Sequence, residues 1–491
     1  MNTGCTITHT LLVSVLLLTG LLTTGHAIPI LETLELGTAS RPFSSRTSSS
    51  PFSAYFHPAS LSSDRVSFDV SLVTLSQRHS IRRMPRPNGY DVEDSIYRAV
   101  PIDAGVVGES LVRPLPTDDL PGGIAASNLV SNTAATLVVG GHLPVVRGRL
   151  AVGLLGVVPV GFLQTQRPNY VDERSQFFGG RLTPERYGDR LESAQVAFSA
   201  SLKLVDGLKL GVGLLMTNHA LSRPLVYVPD AADQEATLTG AEVEVTPAVA
   251  PIASIFVETK ALVPLDMSLT VHGPSENRLR GRGQLRFWEF EYPEGQDFLN
   301  QSFDQVFQWR PWRVGGGVAT RFNMRQVELD ASLSVLWSQW SAYRNRQGER
   351  AADWSNTVDV KVGLTPHFGD HEFGIGVGFF PTPVPEQTGR TNYVDTSRLA
   401  VQIGWGSEIE YQDKAIRIGL GVQGQRLLQR QHVKRLDAVD AVVDEFPDSV
   451  DLQTGVRIAE SSGLQTNNAG FPGFGYEGWL WATMLQIGVG L

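Results

Sequence analysis

Cysteine is nearly missing from this chain: Cys5 is the only one in 491 residues. A disulfide scaffold is therefore excluded, and so is a multi-cysteine metal site. Long apolar runs are missing too. Beyond the N-terminus no segment reaches the ~18 uninterrupted apolar residues that a membrane helix needs. Positive charge is in deficit. Lys and Arg number 41 against 50 Asp and Glu, a net charge of −9, and no long basic run offsets it. That balance argues against a nucleic-acid partner. A cysteine pair and G-x-S-x-G are absent, and the one H-x-x-x-H spacing, His367 to His371, falls on an expected tight turn, so no motif supports a metal or an activated nucleophile. No cofactor, metal or enzymatic activity is expected, although a barrel enzyme assembled from rim residues by folding stays open as an alternative.

What is present begins with a leader. Leu11 to Leu22 is apolar but too short to span a bilayer, and Gly25-His26-Ala27 supplies small residues for cleavage. Residues 1–27 read as a signal peptide, with the oddity that no Lys or Arg precedes the apolar run. Cys5 lies before that run and is not placed like a lipoprotein cysteine. Export without helical spans leaves a soluble periplasmic protein or a transmembrane β-barrel.

Alternation with period 2 runs from Val66 to Leu491. Leu208, Leu210, Val212, Leu214 and Met216 share one face. So do Val327, Leu329, Ala331, Leu333, Val335 and Trp337, opposite Gln326, Glu328, Asp330, Ser332 and Ser334. The links between such stretches alternate between long and short. Tight turns are expected near Pro144–Gly148, Val205–Gly207, Glu258–Lys260, Asn323–Arg325, Phe368–His371 and Tyr411–Lys414. Long links are expected at 79–131, 164–190, 219–240, 273–312, 341–355, 381–396 and 427–478. All the short turns then fall at one end of the sheet, as in an outer-membrane barrel. The fold class expected is all-β, a transmembrane antiparallel barrel of about 14 strands. Leu279–Tyr292 goes to the fourth long loop, because counting it as wall would break the even parity. Trp337, Trp340, Tyr343 and Trp354 are expected in an outer aromatic belt, and Phe322, Phe368 and Tyr411 in an inner one. The chain ends in Leu491 where such barrels commonly end in an aromatic residue, so a weaker assembly signal is expected.

Polar inner faces are expected at Glu242 and Glu244, Arg313 and Arg321, Glu328 and Asp330. The third strand differs: Ala151, Gly153, Leu155, Val157, Pro159 and Gly161 make its inner face apolar as well. Pro159 has no N–H to donate, and Gly156 and Gly161 permit a bend. The segment reads as a lateral opening at Gly156, Pro159 and Gly161, or as an ordinary bulge. Phe287, Trp288, Phe290, Trp309 and Trp312 crowd the fourth long loop. They read as an outer capture surface for a hydrophobic ligand, or as a self-packed cap. Gly419, Gly421 and Gly424 match G-x-G-x-x-G, but they lie inside an alternating strand and not in a βαβ unit.

Three motifs carry a resemblance. Leu36-Gly37 precedes His57-Pro58-Ala59 by about twenty residues, just before the first expected strand, which begins near Val66. "LSVLWSQWSAY" spans Leu333 to Tyr343. "FFPTPVPEQTGRTNYVDTSRLAVQIGW" spans Phe379 to Trp405. Together they resemble the long-chain fatty acid outer-membrane transporter family of FadL and TodX type, over nearly the whole mature chain. The resemblance implies an N-terminal hatch at residues 28–64, a barrel at 65–491, and a ligand and hatch role for His57, Pro58 and Ala59. His57 stands where the family has Asn; a protonated imidazole only donates, whereas an amide donates and accepts. The implied function is passive uptake of hydrophobic molecules, long-chain fatty acids first, by a monomer in the bacterial outer membrane, in contact with outer-membrane lipid. Aromatic hydrocarbons are the alternative cargo, and a gated porin for polar solutes the alternative function.

Overall fold

The structure, a computed structural model, describes residues 30–35, 37–47, 49–61, 64–84, 126–160, 194–217, 220–222, 225–227, 238–259, 264–286, 299–324, 327–345, 347–411, 414–443, 468 and 470–491. The leader at 1–27 lies outside them.

Alternation dictates strands, and the strands run in chain order: β1 (Ser67–Arg83), β2 (Ala126–Val146), β3 (Leu150–Pro159), β4 (Gln195–Val205), β5 (Leu208–Thr217), β6 (Ala220–Ser222), β7 (Leu225–Tyr227), β8 (Leu238–Val245), β9 (Val249–Thr259), β10 (Leu265–His272), β11 (Ser275–Arg286), β12 (Leu299–Arg310), β13 (Arg313–Met324), β14 (Val327–Ser338), β15 (Thr357–Phe368), β16 (His371–Phe380), β17 (Arg398–Tyr411), β18 (Lys414–Val433) and β19 (Gly473–Gly490). Fourteen of them close into an antiparallel barrel in the order β1-β19-β18-β17-β16-β15-β14-β13-β10-β9-β5-β4-β3-β2. β1 meets β19 from Ser67↔Gly490 to Arg83↔Phe474, so no wall edge is left to pair with another chain. Gly148, Gly207 and Gly369 hold positive φ in three of the short turns, a conformation glycine adopts without a side-chain clash.

Five strands stand outside the wall: β12, β11, β8 and β6 in that order, with β7 also on β8. This corrects two expectations. The Leu279–Tyr292 segment does stay out of the wall, but its first part is strand β11. Glu242 and Glu244 belong to β8 of this second sheet and do not line the barrel. The barrel strand in that region is β9, which begins at Val249 and runs through the expected turn at Glu258.

The wall is inverted relative to a soluble protein. On β15 the exposed residues are Val358, Val360, Val362 and Leu364, while Thr357, Asp359, Lys361 and Thr365 are buried inside. On β17 Leu399, Val401 and Ile403 face out and Gln402 faces in. Apolar outside and polar inside, on a closed sheet, is the pattern that hydrocarbon selects. Phe322, Phe368 and Tyr411 are exposed at the short-turn end. The outer belt needs correction: Trp340, Tyr343 and Trp354 turn inward on one another with Trp309 and Tyr393, and Tyr343 stacks on Trp354 at 3.7 Å.

Inside the barrel lies the N-terminal segment, residues 30–61. Its backbone needs room, and wall glycines supply it. A Cβ on Gly211 of β5 would overlap the Ala59 N and Pro58 carbonyl carbon, and one on Gly315 of β13 would overlap the Arg46 guanidinium. The exterior face generates a prediction. Ile403→Arg, at mid-height on the outer surface of β17, should lower stability in lipid by about 2–4 kcal/mol. Denaturant unfolding from vesicles, compared with wild type, reads this directly; an unchanged midpoint would refute the assignment of that face to lipid.

Candidate functional site

The lumen is divided by chemistry. One half of the inner wall carries an apolar band, set among polar inner positions such as Ser71, Gln77, Ser199 and Ser201: Val73 and Leu75 of β1, Val138 of β2, Leu155 and Val157 of β3, Leu215 of β5 and Ile252 of β9 join Leu480 and Met484 of β19. Leu34, Phe52, Tyr55 and Phe56 of the N-terminal segment pack in the same cluster. The other half, β13 to β18, turns charged and amide side chains inward. Arg313, Asp359, Lys361, Gln402, Gln423 and Gln425 are all buried there.

The polar half grips the segment. Glu35 pairs with Lys361, and Arg46 lies 3.5 Å from the same carboxylate. All three are at most 2% exposed. Glu32 pairs with Arg313 and accepts from the Tyr55 hydroxyl, which in turn accepts from Arg313 at 2.8 Å. Burial alone would raise the Glu35 pKa; the nearby Lys361 and Arg46 overcome it and hold the group at about 2. Glu32 is likewise lowered against its burial by Arg313 and Arg310. The backbone is held too. Gln423 and Gln425 donate to the Leu34 and Thr33 carbonyls at 2.9 and 3.0 Å, and Ser334 donates to the Phe43 carbonyl at 3.3 Å. At the lower margin Arg41 donates to Glu372 at 2.8 Å, and His367 lies 3.0 Å from Asp330. Below it a polar cavity of about 910 Å³ opens toward the short-turn end, lined by Arg41, His367, Glu372, Glu408 and Arg417.

His57, Pro58 and Ala59 come together against β4, β5, β9 and β10. The His57 ring sits 2.7 Å from the Thr270 hydroxyl through Nδ1 and packs on Phe256. Pro58 opens a 3-10 turn. Ala59 donates its N–H to Ser254 at 2.8 Å, and its carbonyl accepts from Ser201 at 3.0 Å. Burial, with Arg46 and Lys209 nearby, pushes His57 down to about 3, so the ring is neutral here. A neutral imidazole both donates and accepts, as an amide does.

On β3 the inner positions Ala151, Gly153, Leu155, Val157 and Pro159 are buried as the alternation implies. The ladder to β2 shifts register between Pro144 and Val146, opposite Ala151 and Leu150, and then runs through Pro159↔Thr136; the ladder to β4 is regular as far as Val157↔Gln195. Val160 donates to Ala135 of β2 at 2.6 Å. One residue earlier, the missing N–H of Pro159 therefore faces the β4 side, just past the end of that ladder. Gly156 is not a close-approach glycine, since a Cβ there would meet nothing nearer than 3.8 Å. Gly161 lies outside the described residues, as do Phe287, Trp288 and Phe290. Trp309 and Trp312 separate. Trp309 packs on Trp340 and Tyr343 in the aromatic cluster, whereas Trp312 stays exposed. Gly419 and Gly421 face Ala39 of the luminal segment, and Gly424 lies against Trp481, so the three share no site.

No family model matches the chain, and no curated protein sequence matches it. Solved structures do. A Pseudomonas aeruginosa FadL homologue aligns over 95% of this chain and 99% of its own, with a TM-score of 0.55 at 15% identity. The fold is that of a FadL-type barrel. The P. putida toluene transporter TodX aligns over 93% and 98% at 10% identity, with a TM-score of 0.45. Within this FadL-type barrel, sequence reasoning found the His57 turn but missed Glu32 and Glu35. The available signal was Lys361, a lone lysine at an inward position of an otherwise apolar-alternating strand.

Two predictions follow from the luminal contacts. Glu35→Gln leaves Lys361 and Arg46 buried without their carboxylate. It should weaken seating of the segment by about 3–5 kcal/mol. Maleimide labelling of a cysteine introduced at buried Ser45 should speed up, and Glu35→Leu with Lys361→Met and Arg46→Met should restore most of the protection. The second concerns pH. His57 has a lower pKa seated than the ~6.5 of a solvated imidazole, so its contribution is complete above that value and shrinks as pH falls toward about 3. Glu35, with a lowered pKa, loses its contribution only below its solvated value of ~4.5. Between pH 6.5 and 5 seating should therefore weaken by up to about 2 kcal/mol through His57. Maleimide labelling of a cysteine introduced at buried Ser45 should speed up over that range in wild type and stay flat in His57→Asn.

Proposed function

We propose that the chain is a passive outer-membrane channel for hydrophobic molecules, with long-chain fatty acids as the preferred cargo and residues 28–64 as its hatch. The observation that carries the reading is the apolar band along one side of the lumen. A porin for polar solutes gains nothing from burying Leu155, Val157, Leu215, Leu480 and Met484 along its inner wall. An apolar solute gains about 25 cal/mol per Å² that it buries against such a face.

Preference for an acid over a neutral hydrocarbon is supported by Arg310. It is 4% exposed and lies 3.6 Å from Glu32, yet neither terminal nitrogen has a hydrogen-bond partner among the described residues. It lines a small pocket of about 40 Å³ with Trp309, Trp340 and Arg313. A carboxylate headgroup supplies the missing acceptors, and the indoles offer apolar contact for the chain behind it. Capture at the long-loop end, movement along the apolar half, and exit beside Pro159 where the β3–β4 ladder ends make one continuous route. Gly156 and Gly161 flank that exit in sequence, and exposed Trp312 is the described part of the entry surface.

The test is uptake of labelled oleate by cells without their own fatty acid transporter, with the folded barrel confirmed at the surface. Uptake should exceed the empty-vector control. Leu155→Asp should lower it several-fold, and Arg310→Gln should lower oleate uptake while leaving toluene uptake unchanged. No oleate uptake from an inserted barrel, with conductance for small polar solutes instead, would refute the reading in favour of a porin.

A further inference from the structure

The wall carries a second charged feature on its outer surface, away from the lumen. On the long-loop side of β18, β19 and β1, Arg426, Trp479 and Arg78 form one cross-strand row: Trp479 is the register partner of both arginines. The Arg426 guanidinium lies over the Trp479 ring at 4.7 Å. Trp481, two residues toward the membrane on the same face, lies parallel to Trp479 with centroids 5.8 Å apart. Glu477 accepts from Arg426 at 2.5 Å, and Arg82 approaches the same carboxylate at 3.6 Å. Arg78 is exposed and has no ion pair among the described residues. Two guanidiniums thus share the Glu477 carboxylate, and the third, Arg78, stands beside them on the same face.

Position decides what such a cluster meets. Below it the exterior face of β19 reads Leu485, Ile487, Val489 and Leu491, with only Thr483 between. From Leu491 to Trp479 the strand climbs about 30 Å once tilt is allowed for, which is the thickness of a hydrocarbon core. The arginines therefore stand where hydrocarbon gives way to headgroups. Elsewhere at this level the exterior positions are uncharged: Val249, Trp337, Val358, Phe379 and Leu399. Two ladders are irregular at the same height: β1 against β2 between Arg78 and His79, and β18 against β19 between Leu427 and Arg430. Bulges of this kind re-aim side chains.

We propose that Arg78, Arg82, Arg426, Trp479 and Trp481 form a binding site for a phosphorylated glycolipid of the outer leaflet. Guanidiniums match phosphate oxygens in bidentate fashion, and Glu477 fixes two of them in orientation. The paired indoles give the sugar and upper acyl chains a flat platform, which a free phosphate ion has no use for. The proposal rests on the membrane-spanning geometry and is independent of what the lumen carries.

Native mass spectrometry of the purified full chain tests it, with bisphosphorylated lipid A, its dephosphorylated form and phosphatidylglycerol offered in equal amounts. Bisphosphorylated lipid A should be retained in preference, and excess inorganic phosphate should not displace it. Arg78→Gln and Arg426→Gln should each weaken retention roughly tenfold. Trp479→Ala should weaken it too, while the heat-modifiable gel shift of a folded barrel is kept. Equal retention of the dephosphorylated lipid, displacement by phosphate, or full retention by a folded Arg78→Gln, Arg426→Gln double variant would each overturn the proposal.

Discussion

Two carboxylates of the luminal N-terminal segment, paired with cations of the wall, constrain the rest of this molecule. Glu35 with Lys361 of the wall and Arg46 of the segment itself is buried, and Glu32 with Arg313 is nearly so. A charge in such a place is costly alone and tolerated only in company. The segment must therefore be inserted for the wall to be satisfied, and the wall must be closed for the segment to be satisfied. That mutual dependence is stronger than apolar packing of the same area would give, because removing either partner leaves the other stranded. It also fixes where the segment lies, since an ion pair tolerates far less sliding than a greasy contact does.

The wall follows from period-2 alternation, and the strand number was legible in the sequence because loop lengths sorted by end. The same signal misled where two kinds of strand share it. Glu242 and Glu244 alternate as a wall strand would, yet β8 belongs to the second sheet. Aromatic residues at strand ends look alike whether they face lipid or one another, so Trp340, Tyr343 and Trp354 read as a belt and proved to be a cluster. The His57-Pro58-Ala59 turn was legible because proline punctuates. Glu32 and Glu35 were not, because their partners lie 281 and 326 residues away, and no local pattern reports a pairing at that distance.

His57 shows how one position can keep a geometry while changing its response to conditions. In its buried niche the neutral ring meets Thr270 as an amide could. Outside that niche an imidazole takes up a proton near neutrality and an amide does not. Seating and protonation are therefore linked at this residue through the free segment as much as through the docked one.

The split lumen resolves a conflict between two demands. A hatch that stays put inside a barrel needs directional partners, and these are polar. An apolar solute needs a path without them, since passing a buried charge strips that charge of solvent without replacing its hydrogen bonds. Here the charged and amide partners concentrate on β13 to β18, while β19, β1 to β5 and β9 contribute the apolar cluster that meets the segment's aromatic side chains Phe52, Tyr55 and Phe56. Tyr55 stands on the boundary, its ring in the apolar cluster and its hydroxyl in the Glu32–Arg313 network. Under the proposed function, a solute pressing along the apolar side displaces that ring first. The disturbance then reaches Glu32 through a single hydroxyl, so apolar cargo couples to the ionic latch without touching a charge.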